Sequence, residues 1–281
     1  MIKIIYKYFE SKHRRYLHSL EGKKFINQFN LHCILFRKKG RFAYKDNKYI
    51  VTNTLGLVWK FVGVAEGIYC YKDSLETRKK KIYEEYLLEN INFSNDDIVI
   101  DCGAHAGDFY LGISDLDLNY YGFEPSKKVY LCLEDNLINS NNFKTKKISI
   151  SDKALWKDNE EKINFYIKDY GADSSLIEPK DYLKKTEVDT ITLDKFISDL
   201  NKPIKLLKIE AEGAEPEVLI GLSKELKKVN YIVVDCGFER GINSESTIRE
   251  CSQYLINNNF EFYKYSEFRT MCLFKNLDFI G

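Results

Sequence analysis

A chain of 281 residues is long enough to bury a full core, and its 43 Lys and Arg are balanced by 42 Asp and Glu. That balance predicts no overall field for nucleic acid or an acidic membrane; the densest basic run, Arg78-Lys79-Lys80-Lys81, reads as a solvated helix face. Seven scattered cysteines with no C-x-x-C pair encode neither a disulfide framework nor a zinc ribbon, and point to reduced thiols in the cytoplasm.

In chain order, Phe9 to Phe29 has the spaced apolar residues of helix. Short β-prone runs follow at Ile34-Leu35-Phe36, Phe42-Ala43-Tyr44, Tyr49–Thr52 and Leu57-Val58-Trp59, separated by turn signals at Lys39-Gly40 and Asp46-Asn47. Residues 1–75 are expected to form a small α+β cap or accessory region. From Ser74 on, helix and strand alternate: a helix over Leu75–Glu89, strands at Ile98–Ile100, Tyr120–Phe123 and Lys147–Ile150, and a helix over Lys127–Asn139. An inserted β segment is expected at Lys162–Ile167 and Thr190–Leu193. Then come a strand at Ile204–Ile209, a helix over Pro216–Leu226, a strand at Tyr231–Val234, a helix over Thr247–Ile256, and a closing hairpin of Phe260–Tyr265 and Met271–Phe274. Such alternation makes an α/β fold with a mainly parallel sheet over residues 76–281, and the antiparallel finish separates it from dinucleotide-type Rossmann domains.

Several chemistries are excluded on the way. The N-terminal Met1–Lys7 carries lysines where a signal peptide needs an unbroken apolar stretch, and Leu55–Ala65 is too short to span a bilayer, so a soluble protein is expected. Of four histidines only His105 lies beyond residue 35, and no two-ligand spacing for a metal exists. Inside a glycine-rich turn, His105 is poorly placed to be a triad base.

Ligands of such sheets bind outside the carboxyl ends of the strands. The loop Asp101-Cys102-Gly103-Ala104-His105-Ala106-Gly107 falls there, after the first strand. Gly103 is read as permitting a tight turn close to the ligand, Gly107 as serving helix–loop packing. The spacing is not Gly-x-Gly-x-x-Gly, and His105 would obstruct a diphosphate, which opposes a NAD-linked oxidoreductase. Asp101 at a strand end suits a cationic ligand, directly or through water: the amino-acid end of S-adenosylmethionine. Glu124 in Phe123-Glu124-Pro125, some 20 residues on, can accept two hydrogen bonds from vicinal ribose hydroxyls, with Ser126 beside it. Ser151-Asp152 falls where an adenine amino group would lie. Alternation puts Lys208, Glu210 and Glu212 on one side at the end of the fourth strand, with Pro216 opening the next helix and Glu215 beside it favouring the helix dipole.

The segments Asp101–Gly107, Phe123-Glu124-Pro125, Thr192-Leu193-Asp194-Lys195-Phe196 and Leu207–Glu215 resemble, in order, the motifs of the FkbM family of methyltransferases. Ala172–Leu176 resembles the family's serine pair. The likeness spans roughly residues 95–275, with His105 where Asn is usual and Glu210 where Asp is usual. It implies a Rossmann-like, seven-stranded class I methyltransferase sheet behind the N-terminal cap, S-adenosylmethionine as donor, and O-methylation of a sugar, glycan precursor or other metabolite hydroxyl, as in bacterial surface polysaccharide biosynthesis. The expected base is Glu210 or Glu212, oriented by Lys208, with His105 as rival. Cofactor contacts fall on Asp101, Gly103, Ala104, His105, Gly107, Glu124, Pro125, Ser126, Ser151 and Asp152. Acceptor contacts fall on Ser174, Ser175, Asp235, Glu239 and Arg240. A small-molecule or glycan acceptor is expected, with no nucleic acid, membrane span or resident metal; the acceptor's identity and a homo-oligomeric state stay open. So does a second reading, a domain that binds cofactor or partner without catalysis.

Overall fold

Two helices open the chain, α1 (Ile2–Leu17) and α2 (Gly22–Leu35), in a computed structural model that describes residues 2–140, 143, 146–159, 161–168, 173–266 and 269–280. They run antiparallel, with the rings of Tyr6 and Phe36 in contact at one end and His13 and His32 further along. Phe25, Phe29 and Cys33 recur every fourth residue and bury one face of α2. That stripe carries the helix through Leu35, so the strand expected at Ile34–Phe36 does not form: packing overrides the β-propensity of a short apolar run. The next three expected strands are present as an antiparallel sheet, β1 (Phe42–Lys45), β2 (Lys48–Thr52) and β3 (Val58–Phe61). Asp46 and Asn47, both at positive φ, make its first hairpin turn.

The short α3 (Val64–Glu66) runs into a π-helical turn at Gly67–Tyr71, and α4 (Leu75–Glu85) is capped by Ser74, whose hydroxyl accepts from Thr77 N. Buried polar groups dock this N-terminal region onto the α/β portion of the chain. Asn136 accepts from Lys60 N and donates to the carbonyls of Lys60 and Ala106, each at 2.8 Å. Trp59 donates to the Tyr71 hydroxyl, which donates to Asp108, and Arg78 closes on the same carboxylate at 2.9 and 3.0 Å.

The main sheet is built from β4 (Ile98–Cys102), β5 (Asn119–Phe123), β6 (Lys147–Ser151), and later β10, β11, β12 and β13. Helices α5 (Asp108–Ile113) and α6 (Lys127–Leu137) connect its first strands. Next, β7 (Ala154–Leu155), β8 (Lys162–Ile167) and β9 (Lys184–Ile191) form a small separate sheet, and α7 (Leu193–Ser198) leads on to β10 (Ile204–Ile209). Helix α8 (Glu215–Ile220), β11 (Val229–Asp235), α9 (Ile248–Asn257), β12 (Phe260–Tyr265) and β13 (Met271–Asn276) complete the chain. The seven-stranded order is β12-β13-β11-β10-β4-β5-β6, and only β13 runs against its neighbours. This is the Rossmann-like class I methyltransferase sheet, with its switch point between β4 and β10.

Alternation along these strands feeds two cores. Val99, Tyr120, Leu206, Val233 and Leu273 face the N-terminal region and merge with Phe25, Trp59 and Tyr71, whereas Ile100, Phe123, Leu207, Ile232 and Phe274 face α8 and α9. At about 1.5–3 kcal/mol per buried large side chain, these faces hold the strand ends in register. The helix expected over Pro216–Leu226 stops at Ile220, and Gly221 follows it, where a Cβ would lie 2.2 Å from the Trp156 carbonyl oxygen. Among the described residues no helix is long and apolar enough to cross a membrane.

Candidate active site

A cavity of about 610 Å³ opens at the carboxyl ends of β4, β5, β10 and β11. Gly103, Ala104, His105, Glu124, Pro125, Ser126, Ser174, Ser175, Lys208, Glu210, Glu212, Asp235 and Glu239 all line it, so most of the sequence-derived candidates converge there. Asp101, Gly107, Ser151, Asp152 and Arg240 do not. Gly107 lies under Leu133, Leu137 and Trp59, the close packing expected of it. Asp152 is at the surface, 3.6 Å from the Lys127 ammonium. The Arg240 guanidinium is taken by both Glu217 oxygens, at 2.7 and 2.8 Å, and by the Gly213 carbonyl.

Lys208 organises the floor. Its buried ammonium lies 2.9 Å from Asp101, 3.3 Å from Glu210, and donates to the carbonyls of Cys102 and Gly103. Asp101 is wholly buried and takes a 2.5 Å hydrogen bond from Tyr120, so it meets the cavity through Lys208 instead of lining it. Burial alone would lower the lysine's pKa, but Asp101 and Glu210 outweigh it and hold the ammonium charged. The two loops touch here: a Cβ on Gly103, at φ +73°, would sit 1.9 Å from the Glu210 carbonyl oxygen. The glycine is needed for the neighbouring loop, where a close approach of ligand was expected.

Glu210 is saturated with donors. Tyr86 reaches Oε2 at 2.5 Å, and Arg269 bridges Oε1 to Asp235 at 2.5 and 2.6 Å. Burial would raise its pKa, but Arg269, Lys208 and Tyr86 pull it well below the usual carboxylate range. Glu212 is the opposite case. The strand ends at Ile209, so a left-handed turn (φ 51°) swings Glu212 into the cavity, pinned by Ser175, whose hydroxyl donates to the Glu212 carbonyl at 2.6 Å. Its carboxyl has no cation partner among the described residues, and burial together with Glu210 and Glu239 pushes its pKa well up. The Glu215 side chain turns back to accept from Ala211 N and Gly213 N, fixing this loop, and its pKa is raised to about 7 by burial.

On the other side, Glu124 accepts from His105 N at 3.0 Å and Ser126 N at 2.8 Å, tying the loops after β4 and β5 together. Burial nonetheless raises it to about 7. His105, at φ 50°, is kept neutral by burial; its Nε2 lies 3.7 Å from Glu66 Oε1 and has no hydrogen-bond partner among the described residues. Ser174 Oγ is likewise buried and without a partner there; Ala172, in the same motif, lies outside the described residues.

Sequence reasoning missed Tyr86, Arg269 and Asp108, all of which line the cavity, and Glu66, Cys70 and Arg78 from the N-terminal side. The ring of Phe238, 65% exposed, stands at its mouth. In all, nine carboxylates face five Lys and Arg around the wall, an excess of negative charge that favours a cationic ligand. Among the described residues, no group of three or more His, Cys, Asp or Glu is arranged to hold a metal ion.

The profile of the methyltransferase FkbM domain matches residues 101–262, more than half the chain and the part that carries most of this site. The chain belongs to the FkbM methyltransferase family. Its donor is S-adenosylmethionine, and the net-negative cavity fits that sulfonium cation. Among solved structures, the methyltransferase is similar to precorrin-6y C5,15-methyltransferase from Geobacter metallireducens (9% identity, 74% of this chain and 92% of that one, TM-score 0.42). It is also similar to magnesium protoporphyrin IX methyltransferase from Synechocystis with bound S-adenosylmethionine (8%, 72% and 79%, TM-score 0.42). A third likeness is to a Streptococcus mutans protein described as a methyltransferase in complex with SAH (10%, 71% and 98%, TM-score 0.41). No curated protein matches the sequence. The Thr192–Phe196 motif is structural: Thr192 caps α7 through Lys195 N, and Asp194 accepts from the amides of Ser223, Lys224 and Glu225.

Proposed function

We propose that this FkbM methyltransferase methylates a hydroxyl of a neutral sugar or glycan precursor, with Glu212 as general base. The observation that carries this reading is the Glu212 carboxyl, half-buried on the cavity wall, with a raised pKa and no cation partner among the described residues. A base works best when its pKa approaches the operating pH, and Glu210, held low by Arg269, Lys208 and Tyr86, is the poorer candidate. Glu210 and Lys208 then serve as fixed charges that position the loop.

S-adenosylmethionine, when bound, supplies a methyl group already activated on sulfur. Glu124, Ser126, Ala104 and His105 would hold its nucleoside side, with Glu124 presenting its remaining lone pairs to the ribose. Glu212 would take the acceptor's proton as the oxygen is alkylated, and Ser174, Asp235 and Glu239 would orient neighbouring hydroxyls. An acidic wall repels an anionic acceptor and accepts hydrogen bonds from a polyol, while Phe238 offers a flat apolar face to a sugar ring. Surface polysaccharide modification and a cytoplasmic setting accord with this chemistry.

The test is calorimetry with S-adenosylhomocysteine followed by a methyl-release assay over neutral sugars, uronic acids and non-sugar alcohols. Turnover on neutral sugars is expected to exceed that on uronic acids. Cofactor binding without turnover on any hydroxylated acceptor would turn the reading to a non-catalytic binding domain.

A further inference from the structure

The near-neutral whole chain conceals a strong separation of charge. Residues 1–45 carry 12 Lys and Arg against only Glu10 and Glu21, a net +10, while the remaining residues carry 31 against 40, a net −9. The expectation of no overall field concerns the sum, and it leaves room for a local basic region such as this one.

The basic end is also the most apolar on its outside. On α1, Tyr8, Lys12 and Tyr16 follow one another at four-residue spacing with Phe9 beside them, and the three aromatic residues are 50–59% exposed. Lys12 lies with its ammonium 5.1 Å over the Tyr8 ring, a charged head carried on an aromatic face. Leu17 is buried on the opposite side of the helix. At the end of α2 that meets the start of α1, Ile34 and Leu35 are exposed next to Arg37. Exposed aromatics and aliphatics among lysines and arginines on a surface helix are the composition of an element that lies in a membrane interface.

We infer that α1 and the end of α2 dock this protein on an anionic lipid bilayer surface. Each Lys or Arg near such a surface adds to the attraction, so a few engaged residues give measurable partitioning, and the aromatic rings add apolar burial. The opposite charge of the rest of the chain orients the molecule, since only this end is attracted. Phosphate contacts alone would use the cations but leave Phe9, Ile34 and Leu35 in water, which favours lipid over nucleic acid as the polyanion.

The full-length protein would be sedimented with vesicles of equal parts phosphatidylglycerol and phosphatidylcholine, and with phosphatidylcholine alone. The variants are Lys12→Glu with Arg15→Glu, and Tyr8→Ser with Phe9→Ser, each checked for an unchanged melting temperature. Expected are binding to the anionic vesicles only, weakening with salt, and a loss on the order of tenfold or more in each double variant. Equal binding to both vesicle types, or undiminished binding of the Tyr8→Ser/Phe9→Ser protein, would overturn the inference. So would absent vesicle binding alongside tight, aromatic-independent binding of a single-stranded polynucleotide, which would reassign the patch.

Discussion

The two walls of the cavity treat their carboxylates differently. On the side of β4 and β5, Asp101 beneath the wall is paired with Lys208 and Tyr120, and Glu124 on the wall with two backbone amides. On the side of the loop after β10, Glu210 and Glu215 are equally committed, yet between them Glu212 has no cation among the described residues. A carboxyl largely withdrawn from water without a cation costs stability, and perturbed carboxyls cluster at functional sites, which supports the role proposed for Glu212. The contrast separates groups that build the site from the group proposed to act in it.

The largest expected effect comes from breaking the committed set at its centre. Lys208→Met leaves Asp101 and Glu210 facing each other in the interior without their shared cation. Removing one partner of a buried ion pair costs about 3–5 kcal/mol, a large part of a domain's stability. Denaturant unfolding should show that loss, and little folded protein at 37 °C. A loss under 1 kcal/mol would mean that the floor tolerates repulsion and is not organised as described.

Glu212→Gln is the matching test on the uncommitted side. Turnover should fall about 10²- to 10⁴-fold, the usual worth of a general base, while S-adenosylhomocysteine affinity and melting temperature stay level or rise. The same loss from Glu210→Gln with Glu212→Gln silent would exchange their roles.

Much of this contrast was open to sequence reasoning, and the reasons are physical. A buried strand is an apolar run, so Ile204–Ile209 is bounded in the structure as the pattern bounds it, and the partly exposed Lys162–Ile167 and mostly exposed Phe260–Tyr265 were legible from β-prone residues instead. Loops at strand ends are local, which is why Gly103, Glu124, Glu210 and Glu212 were placed together. Tyr86 and Arg269 were not: they stand 124 and 59 residues from Glu210, and nothing in their own neighbourhoods marks them. Glu212 reached the cavity for a different reason from the one expected. Alternation ends at Ile209, and a positive φ does the rest. At the N-terminus a whole-chain charge sum does not locate the net +10 of residues 1–45.

A smaller effect concerns pH. Glu215 is raised to about 7 by burial, above its ordinary 4.5, so the folded protein holds a proton that the unfolded chain has released across that interval. Stability therefore declines as pH rises from about 4.5 to about 7, where the folded group also ionises. Glu215→Gln keeps an oxygen for Ala211 N and Gly213 N but cannot ionise. Melting temperature against pH should be flatter for this variant than for the parent. An unchanged slope would mean that the amides already hold Glu215 charged, like Glu210.

The smallest effect is the sharpest check on which polar groups belong to the wall and which only support it. Arg240 stands behind the acidic loop, its guanidinium split between Glu217 and the Gly213 carbonyl, and lysine can reproduce the charge but not the fork. With the pair partly open to solvent, Arg240→Lys should cost no more than about 1 kcal/mol. Turnover and KM for the acceptor should then be within about twofold of the parent, since an ammonium can still meet Glu217. A selective rise in KM at unchanged stability would place Arg240 in contact with the acceptor and extend the acceptor wall one layer beyond Glu212 and Glu239.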